Sequence, residues 1–217
     1  AKQVGEVSRL LKAEAMNPFV VTSAMSALRR LGEPRQALAL FDKVRARGLE
    51  ADLFLYGAAI SASQRSGDLE RAFQLFAEME RKGIEPNIVT YSALISACEK
   101  GGRFGKAFEL FDELQRRGLE PNVVTYSALI SVCEKSGRFE KAFELFEELQ
   151  RPPRGLAPNV VTYSAMISVC EKSGQLQKAF AFFEALQHKS GLEPNVITYS
   201  ALISACEKSG QWEKAFE

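Results

Sequence analysis

Hydrophobic residues in this chain recur with helical spacing, in pairs of short segments. Within one pair, the first segment places its apolar residues at i, i+3, i+4 and i+7, at Tyr91, Leu94, Ile95 and Cys98. The second segment carries a similar stripe, at Phe104, Ala107, Phe108, Phe111 and Leu114. Such stripes are typical of amphipathic helices with one buried face. Each pair therefore predicts a helical hairpin.

Glycine and proline separate the helices. Gly101-Gly102 ends the first helix of the pair, and Gly118 with Pro121 ends the second. Two helices this short cannot bury both apolar stripes by themselves, whereas stacked neighbouring hairpins can. The pattern thus predicts a superhelical α-solenoid with one extended concave face.

The hairpin is repeated along the whole chain. One tyrosine recurs in five of the hairpins, at spacings of 35, 35, 37 and 36 residues: Tyr56, Tyr91, Tyr126, Tyr163 and Tyr199. A fixed period of this size indicates an array of repeats. We expect a single array over 1–217, with repeats at about 16–50, 51–85, 86–120, 121–157, 158–193 and a partial 194–217. Residues 1–15 keep a rough helical period and are interpreted as the remnant of a preceding repeat.

The amino-acid sequence of the repeats resembles that of one known family. A helix–turn–helix repeat of about 34 residues first suggests tetratricopeptide repeats. However, PNVVTYSALI at 121–130 and KAFELFEELQ at 141–150 resemble the pentatricopeptide repeat, in its P-type 35-residue form, much more closely. The expected fold class is therefore all-α: a right-handed α-solenoid superhelix of stacked helix-turn-helix repeats.

The resemblance implies a function and a location. In this family each repeat binds one base of single-stranded RNA. We therefore expect sequence-specific RNA binding, in the processing, stability or translation of organellar transcripts. The family also implies a plastid or a mitochondrion, although no transit peptide is visible in the sequence.

Two columns of residues are expected to select the base. Family resemblance places them at the fifth residue of each repeat, counted from just after the Pro-Asn pair, and at its last residue. The fifth residues, called the base column here, are Thr22, Gly57, Ser92, Ser127, Ser164 and Ser200. The last residues, called the cap column, are Asp52, Asn87, Asn122, Asn159 and Asn195.

The family's pairing rule turns these columns into a preferred RNA sequence. Thr with Asp implies guanine, and Ser with Asn implies adenine. The Gly57–Asn87 pair departs from the rule and assigns no base, and Ser200 has no partner before the chain ends. The array is therefore expected to favour 5′-GNAAA-3′, with its N-terminus toward the 5′ end of the RNA.

Two further columns complete the expected interface. The family's base-sandwiching position, called the apolar column, holds Phe19, Phe54, Val89, Val124, Val161 and Ile197. The thirteenth residue, called the basic column, is Arg30, Arg65, Lys100, Lys135, Lys172 and Lys208. Stacking of the repeats would align these cations, and we expect them to contact phosphate.

Structural roles are open to the same residues. Asn and Asp before a helix are good N-caps, so the cap column has a structural interpretation that is compatible with base reading. A cation at a helix C-terminus complements the helix dipole. A Glu also precedes four members of the basic column, at Glu99, Glu134, Glu171 and Glu207, and would dilute their charge.

Composition argues against catalysis. Twenty-eight Lys and Arg against 27 Asp and Glu give a net charge of +1, and there is a single His. The four cysteines, Cys98, Cys133, Cys170 and Cys206, are one repeat position copied four times, without a CxxC pair. They are expected to be buried thiols, as the Phe column at Phe108, Phe143, Phe180 and Phe216 is expected to be core. We expect no enzyme, no cofactor, no metal site and no membrane insertion.

An alternative function uses the same concave surface. The protein could serve as a scaffold subunit of a large organellar assembly, associated with a ribosome or a membrane complex, and grip protein subunits instead of RNA. Three features favour this alternative: about six repeats, nearly uniform base-column residues, and a Glu beside most of the basic residues.

Overall fold

The structure, a computed structural model, describes residues 17–153, 155–188 and 192–215 of the chain. Eleven α-helices and no strand lie within these residues. The chain divides into two compact units, one ending at Leu119 and the other beginning at Glu120. The predicted repeat remnant at 1–15 and Phe216 lie outside the described residues.

The first unit contains three helical hairpins. Its helices are α1 (Pro18–Arg30), α2 (Pro34–Ala46), α3 (Leu53–Ser66), α4 (Leu69–Arg81), α5 (Ile88–Lys100) and α6 (Phe104–Arg116). The odd-numbered helices pack on one another in order, and each also packs on the even-numbered helix that follows it.

The second unit repeats this arrangement. Its helices are α7 (Val123–Ser136), α8 (Phe139–Gln150), α9 (Val160–Lys172), α10 (Leu176–Gln187) and α11 (Val196–Lys208), followed by a 3₁₀ turn at Trp212–Ala215. Here α7, α9 and α11 form the shared layer, and α8 and α10 each pack against it. Each unit is thus a stack of helical hairpins, which confirms the predicted all-α repeat solenoid.

Glycine permits the tight turn within a hairpin. Gly102 connects α5 to α6 with a φ of 68°, in the left-handed region that residues with a side chain rarely adopt. The amide of the next residue, Arg103, donates to the carbonyl of Cys98 at 2.9 Å and closes the turn. The predicted role of glycine at this place is confirmed.

The first helix of each hairpin is buried on two sides, because it packs on its own partner and on the neighbouring first helices. In α5, the predicted stripe of Tyr91, Leu94, Ile95 and Cys98 is fully buried, and Thr90 and Ser92 are buried beside it. The second helices bury one stripe only. In α6 this stripe is Ala107, Leu110, Phe111 and Leu114.

The Phe column is less buried than predicted. Phe108, Phe143 and Phe180 are only partly buried. Phe143 and Phe180 nevertheless pack against the buried core of the second unit, so the expected core role is confirmed in part. The leucines two positions later, Leu110 and Leu145, are fully buried and form part of the core.

The repeated tyrosine forms links in two directions at Tyr56 and Tyr91. Its hydroxyl donates to a glutamate 22 residues later on the second helix of the same repeat, as in Tyr91 to Glu113 at 2.8 Å and Tyr56 to Glu78 at 2.9 Å. Its ring packs edge-on against a phenylalanine of the preceding repeat, with 5.7 Å between the Phe76 and Tyr91 centroids. The tyrosine therefore joins the two helices of a hairpin and the hairpin to its neighbour.

These contacts shift the ionisation of both partners. Burial and the hydrogen bond to Glu78 raise the pKa of Tyr56 to about 12. Burial alone would raise the pKa of the Glu113 carboxyl. The hydrogen bonds from Tyr91 and Arg117, with the charge of Arg117, outweigh burial and lower that pKa below 4.5. The carboxylate is thus held in its charged form.

Tyr91→Phe should destabilise the protein by about 1–2 kcal/mol at pH 7, because it removes a hydrogen bond to a charged group that keeps Arg117 as a partner. Since the pKa of Glu113 is lowered in the folded state, its stabilisation is complete above the ordinary value of 4.5 and is lost as the pH falls through the folded value. Urea unfolding at pH 7 and pH 3 should show the gap between wild type and variant narrowing in acid.

Tyr199→Phe is the matched control, because Tyr199 is 47% exposed and forms a ring contact with Phe183. It should leave the free energy of unfolding nearly unchanged. An equal loss in both variants would show that the Tyr91 hydroxyl contributes nothing specific.

Candidate nucleic-acid interface

The start of each first helix turns an apolar side chain toward solvent. The apolar column occupies the second helical position of these helices, and its exposed fractions are 77% for Phe19, 69% for Phe54, 53% for Val89, 50% for Val124, 55% for Val161 and 63% for Ile197. A single exposed apolar residue is ordinary. The same exposed position in every repeat requires an explanation beyond packing.

The cap column fixes this geometry. Asn87 Oδ1 accepts from the amides of Val89 and Thr90, at 3.0 and 3.1 Å, and Asp52 Oδ1 accepts from the amide of Leu55 at 2.8 Å. The same capping occurs at Asn122, Asn159 and Asn195. The capping interpretation is confirmed, and base reading by these residues stays a prediction.

The serines of the base column are buried. Ser92, Ser127 and Ser164 are only 3–4% exposed. In the second unit, Ser127 Oγ lies 2.6 Å from the carbonyl of Val123, to which it donates, and 2.7 Å from Thr162 Oγ1 of the next repeat. Ser164 forms the same pair with Thr198. Ser200, by contrast, is exposed.

The structure adds a residue that the sequence prediction missed, the threonine three positions after each cap asparagine. The Thr162 backbone amide donates to Asn159 Oδ1 at 2.9 Å, and the Asn159 amide donates to Thr162 Oγ1 at 3.2 Å, which completes a reciprocal capping box. The same hydroxyl meets Ser127, and Ser127 Oγ lies 3.5 Å from Asn159 Oδ1. One threonine therefore joins a base-column serine and its cap-column partner. The regular Asn-x-x-Thr spacing was the available signal.

The first two repeats lack this network. Leu55 stands where later repeats have the threonine, and Thr22 Oγ1 is buried with no hydrogen-bond partner among the described residues. Gly57 has no side chain to offer. Thr22 instead lines an open pocket of about 730 Å³ with Phe19, Phe54 and Asp52. The Thr–Asp pair predicted to select guanine is thus brought together with two exposed aromatic rings.

All six residues of the basic column are exposed, but they differ in their neighbours. In the second unit, Lys172 Nζ lies 2.5 Å from Glu134 Oε1, and Lys208 pairs with Glu171. In each pair the glutamate comes from the preceding repeat, where it stands directly before the basic-column residue. Its charge neutralises that of the lysine. The predicted dilution by glutamate is confirmed for these two lysines.

The first two repeats have no carboxylate at this position, because Arg29 and Gln64 precede Arg30 and Arg65. Arg29, Arg65 and Lys100 line one cleft of about 440 Å³, and none of them forms an ion pair within the described residues. Burial and the charges of Arg65 and Arg30 lower the pKa of the Arg29 guanidinium. Arg29 was not among the predicted site residues.

The described residues carry little sign of reactive chemistry. Burial raises the pKa of the Cys98, Cys133 and Cys170 thiols to about 11, so they are neutral and poor nucleophiles at physiological pH. All four cysteines are buried and free, as predicted. No group of three or more His, Cys, Asp or Glu in the described ranges could hold a metal ion. None of the described helices is long and apolar enough to cross a membrane.

Family comparisons cover most of the chain. The PPR repeat family matches residues 87–135, 121–172 and 158–208, which is more than half of the chain. A pentatricopeptide repeat domain matches residues 39–101, and a further PPR repeat matches residues 19–49. No curated protein sequence matches the chain.

Solved structures support the same fold. The pentatricopeptide repeat protein PPR10 from maize is 30% identical, with a TM-score of 0.68 over 93% of this chain and 28% of its own length. PPR10 in complex with an 18-nt psaJ RNA element is 27% identical, with a TM-score of 0.67 over 99% of this chain and 30% of its own. The chain therefore spans less than a third of these relatives.

A more distant structure shares the fold alone. The PPR domain of Arabidopsis thaliana protein-only RNase P 1, in complex with tRNA, is 17% identical, with a TM-score of 0.64 over 91% of this chain and the whole of that domain.

Thr162→Val should cost about 1–2 kcal/mol of stability, because it breaks the capping box of α9 and leaves Ser127 without its partner in the next repeat. Thr162→Ser keeps the hydroxyl and is the matched control, with a smaller loss expected. Urea denaturation of both variants provides the measurement. Equal stability of the valine and serine variants would contradict the role given to the Thr162 hydroxyl.

Proposed function

Because the chain belongs to the pentatricopeptide repeat family, we propose that it binds single-stranded RNA along the starts of its first helices, one base per repeat. The observation that carries this proposal is the exposed apolar column, with every described member at least half exposed beside a polar cap residue. Bases can stack on such side chains, while a neighbouring polar group meets the base edge. The protein acts by occupying RNA and has no catalytic step of its own.

The capping geometry suggests how bases are selected. Asn159 Oδ1 accepts from the amide of Thr162 at 2.9 Å, which leaves the Nδ2 amide group as the donor that can meet a base. A donor suits the acceptor nitrogen on the Watson–Crick edge of adenine. Asp52 offers only acceptors, which suit the donors on that edge of guanine. These assignments agree with the predicted preference for 5′-GNAAA-3′.

The serines then act mainly as positioning residues. Ser127 is almost fully buried and already hydrogen-bonded to Val123 and Thr162, so its hydroxyl has little capacity left for a base. In this proposal it holds Thr162, and Thr162 holds the Asn159 side chain in place. The base contact itself comes from the cap column.

The biological setting follows from the family. Since the related PPR10 structure contains an RNA element, a role in the processing, stability or translation of a transcript is the natural extension. We place the protein in a plastid or a mitochondrion, as the family resemblance suggests.

The alternative function is a scaffold subunit that grips protein. One observation favours it: Lys172 and Lys208 are already paired with Glu134 and Glu171, which weakens the attraction of that part of the basic column for phosphate. A scaffold would use the exposed apolar column as protein contacts and would show no preference among RNA sequences.

Base reading is tested directly by placing the base-column and cap-column residues of the first repeat, Thr22 and Asp52, at the matching positions of the fourth repeat. Ser127→Thr with Asn159→Asp recreates the Thr22–Asp52 pair and should change the preferred fourth base from adenine to guanine. The mismatched probe should lose about 1–3 kcal/mol, because polar groups are left unpaired, which corresponds to roughly one to two decades in affinity. Fluorescence anisotropy with probes containing GNAAA and GNAGA provides the measurement.

Two controls accompany this experiment. A GNAAG probe tests the unchanged fifth repeat and should discriminate equally in both proteins. Thermal melts should stay close together, because aspartate also caps a helix. If neither protein binds RNA, the scaffold function takes the place of RNA binding. If both proteins bind GNAAA and GNAGA equally, RNA binding stands and base reading by this pair is wrong.

A further inference from the structure

The two units differ in the charge that they offer to RNA, and the difference arises from one position per repeat. The residue before the basic column is Arg29 and Gln64 in the first two repeats and glutamate in the later ones. Two of these glutamates in the second unit pair with the basic residue of the following repeat, Glu134 with Lys172 and Glu171 with Lys208. Lys100 instead lines a cleft with Gln64, and Arg65 lines the same cleft with Arg29.

The consequence is a cleft in the first unit that is lined by three cations and by no acid. Arg29, Arg65 and Lys100 line the same cleft, together with Gln64, Gly32 and Pro34. Burial and the neighbouring charges of Arg65 and Arg30 disfavour the charged form of Arg29 and lower its pKa. Like charges held together in this way are relieved by a bound anion.

Arg29 also connects this cleft to the aromatic pocket. It lines both the cation cleft and the pocket that contains Phe19, Thr22 and Phe54. A nucleotide requires such a combination, a surface for stacking the base and a cationic site for the adjacent phosphate. Thr22, whose buried hydroxyl has no hydrogen-bond partner among the described residues, lines the same pocket.

We propose that Arg29, Arg65 and Lys100 form a phosphate site that anchors the 5′ part of a bound RNA in the first unit, and that Lys172 and Lys208 contribute little because their glutamates neutralise them. This inference rests on the proposed function. It assigns the contacts with the RNA phosphate backbone to one end of the array. The glutamates of the second unit limit the electrostatic affinity of that unit, so that its repeats select bases more than they attract RNA.

Matched pairs of variants in the full chain test this assignment. Arg65→Gln with Lys100→Gln removes two free cations, and Lys172→Gln, Lys208→Gln, Glu134→Gln and Glu171→Gln together remove two complete ion pairs. The affinity for a GNAAA-containing RNA is measured at several salt concentrations. The first variant should reduce the slope of log affinity against log salt by about 1.4, from ~0.7 per phosphate. The second should leave the slope unchanged.

Releasing the paired lysines should produce the opposite effect. Glu134→Gln with Glu171→Gln frees Lys172 and Lys208, and should tighten RNA binding and steepen the slope by up to about 1.4. An unchanged slope in this variant, or an equal loss of slope on removing either set of cations, would overturn the proposed asymmetry while leaving RNA binding intact.

Pyrophosphate alone separates this inference from the proposed function. In the wild-type chain, the side-chain NMR signals of Arg29 and Arg65 should shift with pyrophosphate and not with chloride at equal ionic strength. Arg29→Gln should abolish the shift of Arg65. If pyrophosphate shifts these signals but RNA does not bind, the anion site stands and the proposed function fails. If pyrophosphate has no effect, the site is wrong even where RNA binds.

Discussion

The hydrogen-bonded start of each first helix is the interaction on which the rest of the structure depends. In the second unit, Asn159 caps α9, Thr162 completes the capping box, and the Thr162 hydroxyl also meets Ser127 of the preceding repeat. One network therefore begins a helix, positions it against the neighbouring helix and holds the Asn159 side chain beside the proposed base site. Val161, at the second position of this helix, is exposed to solvent.

Departures from this network distinguish the two units. Where Leu55 replaces the threonine, Thr22 keeps an unpartnered hydroxyl in a pocket with two exposed phenylalanines. Where Arg29 and Gln64 replace glutamate, the basic residues stay unpaired within the described part of the chain. The regular repeats are electrostatically balanced and the irregular ones are not. We infer that regularity supports stacking and base selection, while the irregular first unit provides attraction for RNA.

Much of this architecture could be predicted from the sequence. The stripe at Tyr91, Leu94, Ile95 and Cys98 predicted the buried face of a helix, and the period predicted the solenoid. The burial of Phe143 was overestimated, because an apolar stripe does not show whether a helix is covered on one side or two. The ion pair between Lys172 and Glu134 joins residues 38 positions apart on adjacent repeats. Its existence depends on how the repeats stack, which helical spacing alone does not reveal.

Methyl NMR of the valines tests the central claim most directly, because the chain contains its own controls. Val89, Val124 and Val161 are at least half exposed on the proposed RNA surface, while Val44, Val132 and Val169 are fully buried. On addition of a GNAAA-containing RNA, we expect the exposed valine methyls to shift through the ring currents of stacked bases and the buried ones to stay in place. Binding of that RNA without shifts of Val89, Val124 and Val161 would contradict the account, because the RNA would then lie on another surface.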